Sequence, residues 1–255
     1  LLGGSFITGA EDTPQFRDLF NGRDLSGWVN VNTDPGTWSV RDGLLVCSGH
    51  PIGVMRSEKQ YENFVLHIEW RHMQAGGNSG VFLWATPESI DNLTKGKGRL
   101  PTGIEVQVLD NGYNAKGKNE WYTTHGDVFP IHGATMKPFG KHNGMRSFPS
   151  EDRSKPTPEW NHYRIECNDG TLRLSVNGKE VTVGADQQLA NLDFTLPPFK
   201  QGRWKTYTHE KPRHPTGREL TESVRYVRIM LYPYWPPGEY WYDNIRVVEV
   251  DPAPG

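Results

Sequence analysis

Apolar and polar residues alternate along several short segments, and this period of two predicts β-strands rather than helices. Phe64–Arg71 is the clearest example, because all its even-numbered residues are apolar. Trp160–Val183 has the pattern of three strands joined at Asn168-Asp169-Gly170 and Asn177-Gly178, which are turn signals of β-hairpins. No segment shows helical periodicity over a convincing length. We therefore predict an all-β fold, a jelly-roll sandwich of two antiparallel sheets.

A chain of 255 residues is long enough for one such sandwich. We predict a single domain over residues 16–250, an N-terminal tail over 1–15 and a C-terminal tail over 251–255, with an exposed basic insertion at Phe199–Thr221. Leu1–Ala10 is mildly apolar and ends in small residues, as in the end of a signal peptide or a cloning remnant. The former predicts export to the periplasm or the medium. No run approaches eighteen apolar residues, so no membrane span is predicted.

The composition indicates which kinds of molecule the protein can be expected to bind. A net charge of −2 gives no reason to expect a nucleic-acid partner. The 9 Trp, 10 Tyr and 10 Phe are a heavy aromatic load that can fill a core or stack on sugar rings. Cys47 and Cys167 both lie in strand-like runs, where they form either a disulfide or two buried thiols.

Gly103–Asn111 is the segment on which the predicted site depends. Ile104, Val106 and Val108 would face the core, so that Glu105 and Gln107 lie side by side on the other face. A β-bulge at Leu109 would return Asp110 to that second face, and bulges often re-aim side chains near active sites. The segment then presents either an acid/base set for a polyhydroxylated substrate or a solvated strand face that ends in an Asp-Asn-Gly turn.

The stretch Asn111–Pro158 lacks sustained periodicity but contains Trp, His and Asp among its Gly and Pro. Long irregular stretches inside compact domains are usually functional or disordered. We predict loops that fold over the face of Glu105 and bring His125 towards it. A hydrogen-bonded structural His is the alternative for this residue.

Five segments occur in an order that resembles the 3-keto-disaccharide hydrolase family: Gly76–Leu83, Glu105–Asp110, Glu159–Asn161, Val176–Gly178 and Asp243–Val247. The resemblance extends from about Phe16 to Val250. It implies a concanavalin A-like jelly roll that acts on sugars whose 3-hydroxyl has been oxidised to a ketone.

This resemblance implies a reaction that begins by removal of the acidic C2 proton. We assign Glu105 as the base and Gln107 as a residue that positions a hydroxyl, while Asp110 or His125 handles the second proton. A divalent cation held by Glu105, Asp110 or His125 would act as an electrophile at the ketone. The residues predicted to bind substrate are Glu69, Arg71, Asn78, Ser79, Trp84, Asp127 and Trp235.

Three other functions remain open at this point. The spacing Glu105-x-Gln107-x-x-Asp110 is also similar to the catalytic strand of laminarinase-type glucanases, which would make the protein a retaining glycosidase. The fold and the aromatic residues are also compatible with a carbohydrate-binding module without catalysis. A structural or adhesive envelope domain would lack a cleft. The Tyr232–Tyr242 aromatic cluster either stacks on a sugar ring or caps the end of the sandwich.

Overall fold

The computed structural model describes residues 15–116, 125–186, 230–235 and 240–249, the last two ranges by their backbone. The predicted C-terminal tail, the insertion Phe199–Thr221 and all of the predicted N-terminal tail except Gln15 lie outside the described residues.

Short strands dominate the described part of the chain, together with one α-helix and one 3₁₀ helix. The 3₁₀ helix is Asn111–Lys116 and the α-helix, α1, is Pro87–Thr94. In chain order, the strands are β1 (Arg17–Asp18), β2 (Trp28–Asn30), β3 (Trp38–Arg41), β4 (Leu44–Cys47), β5 (Met55–Ser57), β6 (Phe64–His72), β7 (Asn78–Leu83), β8 (Gly103–Leu109), β9 (Val128–Ile131), β10 (Met136–Pro138), β11 (His142–Asn143), β12 (Arg146–Ser147), β13 (Asn161–Asn168), β14 (Thr171–Val176), β15 (Lys179–Asp186), β16 (Met230–Trp235) and β17 (Tyr240–Glu249).

These strands form two antiparallel sheets, which confirms the predicted architecture. Sheet A has the order β10-β15-β14-β13-β6-β17-β4-β3, and β1 pairs with β17. Sheet B has the order β11-β12-β9-β8-β7-β16-β5-β2. Neighbouring strands, such as β6 and β17, are often far apart in the sequence, so both sheets depend on long-range strand pairing.

The predicted meander is present as β13, β14 and β15. Its two turns carry positive φ at the expected places: Asp169 and Gly170 have φ of 45° and 70°, and Asn177 and Gly178 have φ of 47° and 87°. Consecutive left-handed residues are what two-residue hairpin turns require, and Asn, Asp and Gly tolerate them best. The local sequence therefore determines these hairpins.

The main core lies between the two sheets. Ile68 and Trp70 of sheet A and Ile104, Val106 and Val108 of sheet B belong to one buried cluster, each at most 2% exposed. Sheet B also carries a second cluster on its other face, where α1 packs through Ile90 and Leu93 against Phe82. We call the side of sheet B that turns away from sheet A its outer face.

Helix α1 was not predicted, because eight residues are too few for a periodic signal. Its start is nonetheless encoded locally: Thr86 is the N-cap, its hydroxyl accepts a bond from the Ser89 N–H at 3.3 Å, and Pro87 follows. In the described residues, no helix is both long and apolar enough to cross a bilayer.

The two cysteines are separate buried thiols in sheet A, in β4 and β13. Burial raises the pKa of Cys47 to about 12 and that of Cys167 well above its ordinary value. Of the two alternatives left open by the sequence, a disulfide or two buried thiols, the structure therefore has the two buried thiols.

Candidate active site on the outer face of sheet B

Strand β8 pairs with β7 in unbroken register, from Asn78 opposite Leu109 to Leu83 opposite Ile104. Because side chains alternate along a strand, Ile104, Val106 and Val108 face the core while Glu105 and Gln107 face outwards. This orientation is as predicted. All seven residues of β8 are buried, and on the outer face Glu105 and Gln107 keep 5% and 6% of their surface exposed.

Glu105 is a carboxyl group held in an apolar and crowded place. It is 5% exposed, and it lies opposite Phe82, which belongs to the cluster around α1. Its carboxyl group lies directly over Gly80, where an added Cβ would overlap with it. Burial raises the pKa of Glu105 to about 8, against a smaller opposing effect of Arg146. Glu105 is therefore largely protonated at neutral pH.

Gln107 is fixed beside Glu105 by its amide nitrogen. This Nε2 donates to Asn78 Oδ1 at 2.8 Å, to the Ser79 carbonyl at 3.2 Å and weakly to Glu105 Oε1 at 3.4 Å. Asn78 thus lies on the outer face, as predicted. Ser79 contributes its backbone oxygen, while alternation directs its buried side chain to the core.

A second row of side chains comes from the neighbouring strands β9 and β12. Phe129 lies opposite Glu105, and the Arg146 Cζ lies 3.4 Å from the centre of the Phe129 ring. The Arg146 Nη1 is 2.8 Å from Asp127 Oδ2, and the Asp127 side chain is fully buried. A stacked, ion-paired guanidinium therefore lies one strand away from the Glu105 carboxyl.

Sequence reasoning included Asp127 but missed Phe129 and Arg146. Arg146 belongs to a two-residue strand within the irregular stretch, and no periodic pattern identifies so short an element. The feature that joins these residues is the pairing of β8, β9 and β12, which is long-range.

The predicted bulge at Leu109 is wrong, and Asp110 does not join Glu105. The Asp110 N–H donates to the Gly77 carbonyl at 2.8 Å, which continues the regular ladder, so alternation turns Asp110 away from the outer face. Its carboxylate accepts the N–H groups of Gly76 and Gly112 at 2.8 Å each and of Thr157 at 3.1 Å. Asp110 therefore joins three backbone segments and is an anchor of the fold.

A local irregularity does exist, but on the other side of β8. The Gln107 N–H donates to the Asp127 carbonyl at 2.9 Å, and the Gly126 N–H donates to the Gln107 carbonyl at 3.2 Å. Gly126 has a φ of 83°, a conformation that favours glycine. The backbone therefore bends just before Asp127, which carries the carboxylate that holds Arg146.

The prediction that His125 approaches Glu105 is also wrong. His125 is 3% exposed, and its ring packs against the Trp70 ring in an edge-to-face arrangement, with the ring centroids 5.3 Å apart. Trp70 belongs to the core between the sheets, so His125 lies behind β8 while Glu105 lies in front of it. Burial lowers the pKa of His125 to about 4. Its place in the core makes it a packing residue.

Three predicted substrate-binding residues, Glu69, Arg71 and Trp84, do not join this site. Glu69 and Arg71 alternate with the core residues of β6 and therefore face outwards from sheet A, where Arg71 stacks on Trp160 at 4.6 Å. Trp84 follows β7 with a φ of 52° and packs against the main core. Trp235 ends β16, and its side chain lies outside the described residues, as do those of the Tyr232–Tyr242 cluster.

The three residues considered as cation ligands do not form a shared site, since Glu105 is separated by the sheet from Asp110 and His125. Over the ranges that the structure describes, no group of three or more His, Cys, Asp or Glu side chains is arranged to hold a metal ion.

The family model for the 3-keto-alpha-glucoside-1,2-lyase-like domain matches residues 15–247. The chain belongs to this family. The matched range contains every residue of the site described above and all of both sheets except the last two residues of β17. No curated protein matches the chain.

Solved structures similar to this lyase-like domain share its jelly-roll fold. A candidate glycosyl hydrolase of Parabacteroides distasonis ATCC 8503 is 24% identical, with a TM-score of 0.58 over 92% of this chain and 100% of the other. A second one from the same organism is 20% identical, with a TM-score of 0.57 over 92% and 94%. β-Agarase B of Zobellia galactanivorans is 12% identical, with a TM-score of 0.53 over 93% and 94%.

Proposed function

We propose that this protein is a carbohydrate-active enzyme that cleaves the glycosidic bond of 3-keto-glycosides, with Glu105 as the base that removes the C2 proton. Membership of the 3-keto-alpha-glucoside-1,2-lyase-like family supports this class of substrate. The observation that carries the proposal is the buried Glu105 carboxyl, with its pKa of about 8, on the outer face of sheet B.

The reaction follows from the ketone at C3, which acidifies the C2 hydrogen. The Glu105 carboxylate takes this proton, and the C–H electron pair forms a C2–C3 double bond with negative charge on the 3-oxygen. When this enolate collapses, the C3 carbonyl is restored, a C1–C2 double bond forms and the C1–oxygen bond breaks. The leaving oxygen takes a proton from solvent, and Glu105 releases the C2 proton to solvent, which restores the carboxylate. Addition of water across C1–C2 completes a net hydrolysis; without it the enzyme is a lyase.

The raised pKa suits this step. A carboxylate of ordinary pKa is a weak base towards carbon, and general bases work best when their pKa lies near the operating pH. At pH 7 roughly a tenth of Glu105 would be ionised for a pKa of about 8. Gln107 lies alongside, held by Asn78, and is placed to orient a sugar hydroxyl.

The geometry argues against a retaining glycosidase built on Glu105 and Asp110. That mechanism needs two carboxyl groups on either side of one glycosidic bond. Asp110 lies behind the strand with its oxygens occupied by three backbone N–H groups. A binding module, for its part, has no need of a buried carboxyl with a perturbed pKa.

The test compares a 3-keto-glucoside with its unoxidised parent. We expect wild type to cleave the ketone and to leave the parent intact, because the C2 proton of the parent is not acidic. Glu105→Gln keeps the shape of the side chain but cannot accept a proton, so we expect a loss of about a hundred- to ten-thousand-fold in kcat. Glu180→Gln, in an exposed ion pair with Arg173, is the matched control and should retain full activity.

Two results would contradict the proposal. Equal cleavage of the oxidised and unoxidised sugars would indicate a conventional glycosidase. Tight sugar binding without turnover, unchanged in Glu105→Gln, would indicate a binding module.

A further inference from the structure

The guanidinium of Arg146 is a positive charge that acts on Glu105 and is held in place by two neighbours. It is held on one face by the Phe129 ring, 3.4 Å from Cζ, and at one end by Asp127, 2.8 Å from Nη1. The Asp127 side chain is fully buried, whereas that of Arg146 is 19% exposed. The guanidinium is thus fixed by the protein, while the Arg146 side chain as a whole keeps about a fifth of its surface exposed.

The position of Arg146 relative to Glu105 follows from the strand pairing. Phe129 lies opposite Glu105 across β8 and β9, and Ser147 lies opposite Val128 across β12 and β9. Arg146 therefore lies next to Phe129 on the same outer face. Its charge reaches the Glu105 carboxyl, where it favours the ionised form. A ligand in contact with both Glu105 and Arg146 would lie on the outer face, between the Glu105 carboxyl and the guanidinium stacked on Phe129.

We propose that Arg146 donates to the 3-oxygen of the sugar and is the residue that selects oxidised substrates. This inference rests on the proposed function, in which Glu105 removes the C2 proton. The 3-oxygen is attached to the carbon next to C2, so a base on β8 and a guanidinium stacked over the neighbouring strand β9 can address both positions. Asp127 and Phe129 are positioning residues that hold the guanidinium in place.

The chemistry explains the selection. Arg has five N–H donors and no acceptor, which matches a ketone oxygen that can only accept. When the C2 proton moves to Glu105, the C–H electron pair passes into the C2–C3 bond and the 3-oxygen becomes negative. A fixed positive charge at that oxygen stabilises the enolate more than the ground state, and interactions of this kind raise kcat. A sugar with a 3-hydroxyl develops no such charge.

The test uses substitutions at Arg146 and a matched control at Arg173. Arg146→Met removes the charge and the donors while keeping much of the volume. We expect its kcat/KM on a 3-keto-glucoside to fall about a hundredfold or more, as for the loss of other oxyanion donors. Arg146→Lys keeps the charge but lacks the planar fork, so an intermediate loss is expected. Arg173→Met, from an exposed ion pair on sheet A, should be unaffected.

Two readouts separate contact with the substrate from a structural role. Because Arg146 favours the ionised form of Glu105, Arg146→Met should move the midpoint of the pH–rate profile upwards, and Arg146→Lys should leave it nearly unchanged. In Arg146→Ala, millimolar guanidinium chloride should restore part of kcat. The same salt should not rescue Glu105→Gln.

The outcomes are distinguishable. If Glu105→Gln is inactive while Arg146→Met keeps kcat/KM within threefold of wild type, the role of Arg146 is refuted and the proposed function stands. If Arg146→Met fails to fold, the Arg146→Lys and guanidinium rescue experiments decide: no rescue and no loss in Arg146→Lys would refute it. If wild type does not act on the 3-keto-glucoside, both proposals fail.

Discussion

Glu105 and Asp110 are two buried carboxyl groups five positions apart, and they differ in how many hydrogen-bond donors surround them. Glu105 is 5% exposed and Asp110 is 3% exposed, so burial alone does not distinguish them. Asp110 accepts three backbone N–H groups at 3.1 Å or less. Glu105, within the described ranges, accepts a weak bond from Gln107 at 3.4 Å, and Gly80 lies beneath its carboxyl.

The difference shows what makes a buried acid reactive. Donors that satisfy a carboxylate stabilise its charge and use its lone pairs, so Asp110 is an anchor. Burial with a weak donor raises the pKa of Glu105, because the charged form is poorly stabilised. The Glu105 carboxylate therefore takes up a proton readily. We therefore expect changes at Glu105 to affect activity and the pH dependence of stability, whereas changes at Asp110 affect stability without affecting the chemistry.

The largest effect is expected in the pH dependence of stability due to Glu105. Its pKa is about 8 in the folded state against an ordinary 4.5, so between these values the unfolded chain binds fewer protons than the folded one. Its contribution to stability is complete below pH 4.5 and is lost as the pH rises towards 8. The full loss corresponds to about 5 kcal/mol.

Denaturation of wild type and Glu105→Gln at several pH values measures this loss. The variant cannot ionise, so its free energy of unfolding should exceed that of wild type increasingly from pH 5 to pH 8. A constant difference between the two proteins over this range would show that Glu105 has an ordinary pKa, and the comparison with Asp110 would fail.

The next effect concerns Asp110 and the three segments it joins. Asp110→Ala leaves the N–H groups of Gly76, Gly112 and Thr157 without their acceptor, and we expect it to cost about 4 kcal/mol in the free energy of unfolding. Asp110→Asn keeps one acceptor oxygen and should cost about half as much. Chemical denaturation gives both values.

Folded Asp110→Asn should retain the kcat of wild type on a 3-keto-glucoside. A loss of turnover as large as that of Glu105→Gln, at unchanged stability, would place Asp110 in the chemistry after all and would contradict its role as an anchor.

A smaller effect is expected from His125, a third buried titratable group. Its pKa is about 4 against an ordinary 6.5, with burial as the main cause and with Asp152, the Leu109 backbone and Asp110 opposing it. Below pH 6.5 the unfolded chain binds the proton more readily, so stability is lost as the pH falls from 6.5 to 4, by about 3 kcal/mol.

His125→Phe should reduce this acid sensitivity, because an apolar ring of similar size has no proton to gain. His142→Phe, at an exposed position of β11, is the control and should keep the acid sensitivity of wild type. An unchanged acid midpoint in His125→Phe would show that His125 is not the group responsible.

Local pattern was sufficient for β6, for the meander β13 to β15 and for the orientation of β8, but not for β9 to β12. The alternation of Ile104, Val106 and Val108 with Glu105 and Gln107 requires nothing beyond a period of two and one buried face. The turns of the meander are equally local, since they depend on Asp169-Gly170 and Asn177-Gly178.

The errors have a common physical cause, which is that strand pairing is long-range. Glu69 and Arg71 lie on a correctly predicted strand, but that strand belongs to the other sheet. Asp110 turns inwards because its N–H pairs with the Gly77 carbonyl and so continues the ladder. The sequence of β8 alone does not predict this pairing. Arg146 joins the site through β12, whose two residues carry no pattern.

The most direct test of the central claim follows the hydrogen at C2. Wild type is incubated briefly with a 3-keto-glucoside in D₂O, beside an enzyme-free sample and Glu105→Gln, and the product is analysed by NMR. We expect the C2 proton of the substrate to be absent from the product, replaced by deuterium after hydration or lost in an unsaturated sugar. In the same brief incubation, Glu105→Gln should form at most a trace of product. A cleaved sugar that retains its original C2 proton would contradict the account.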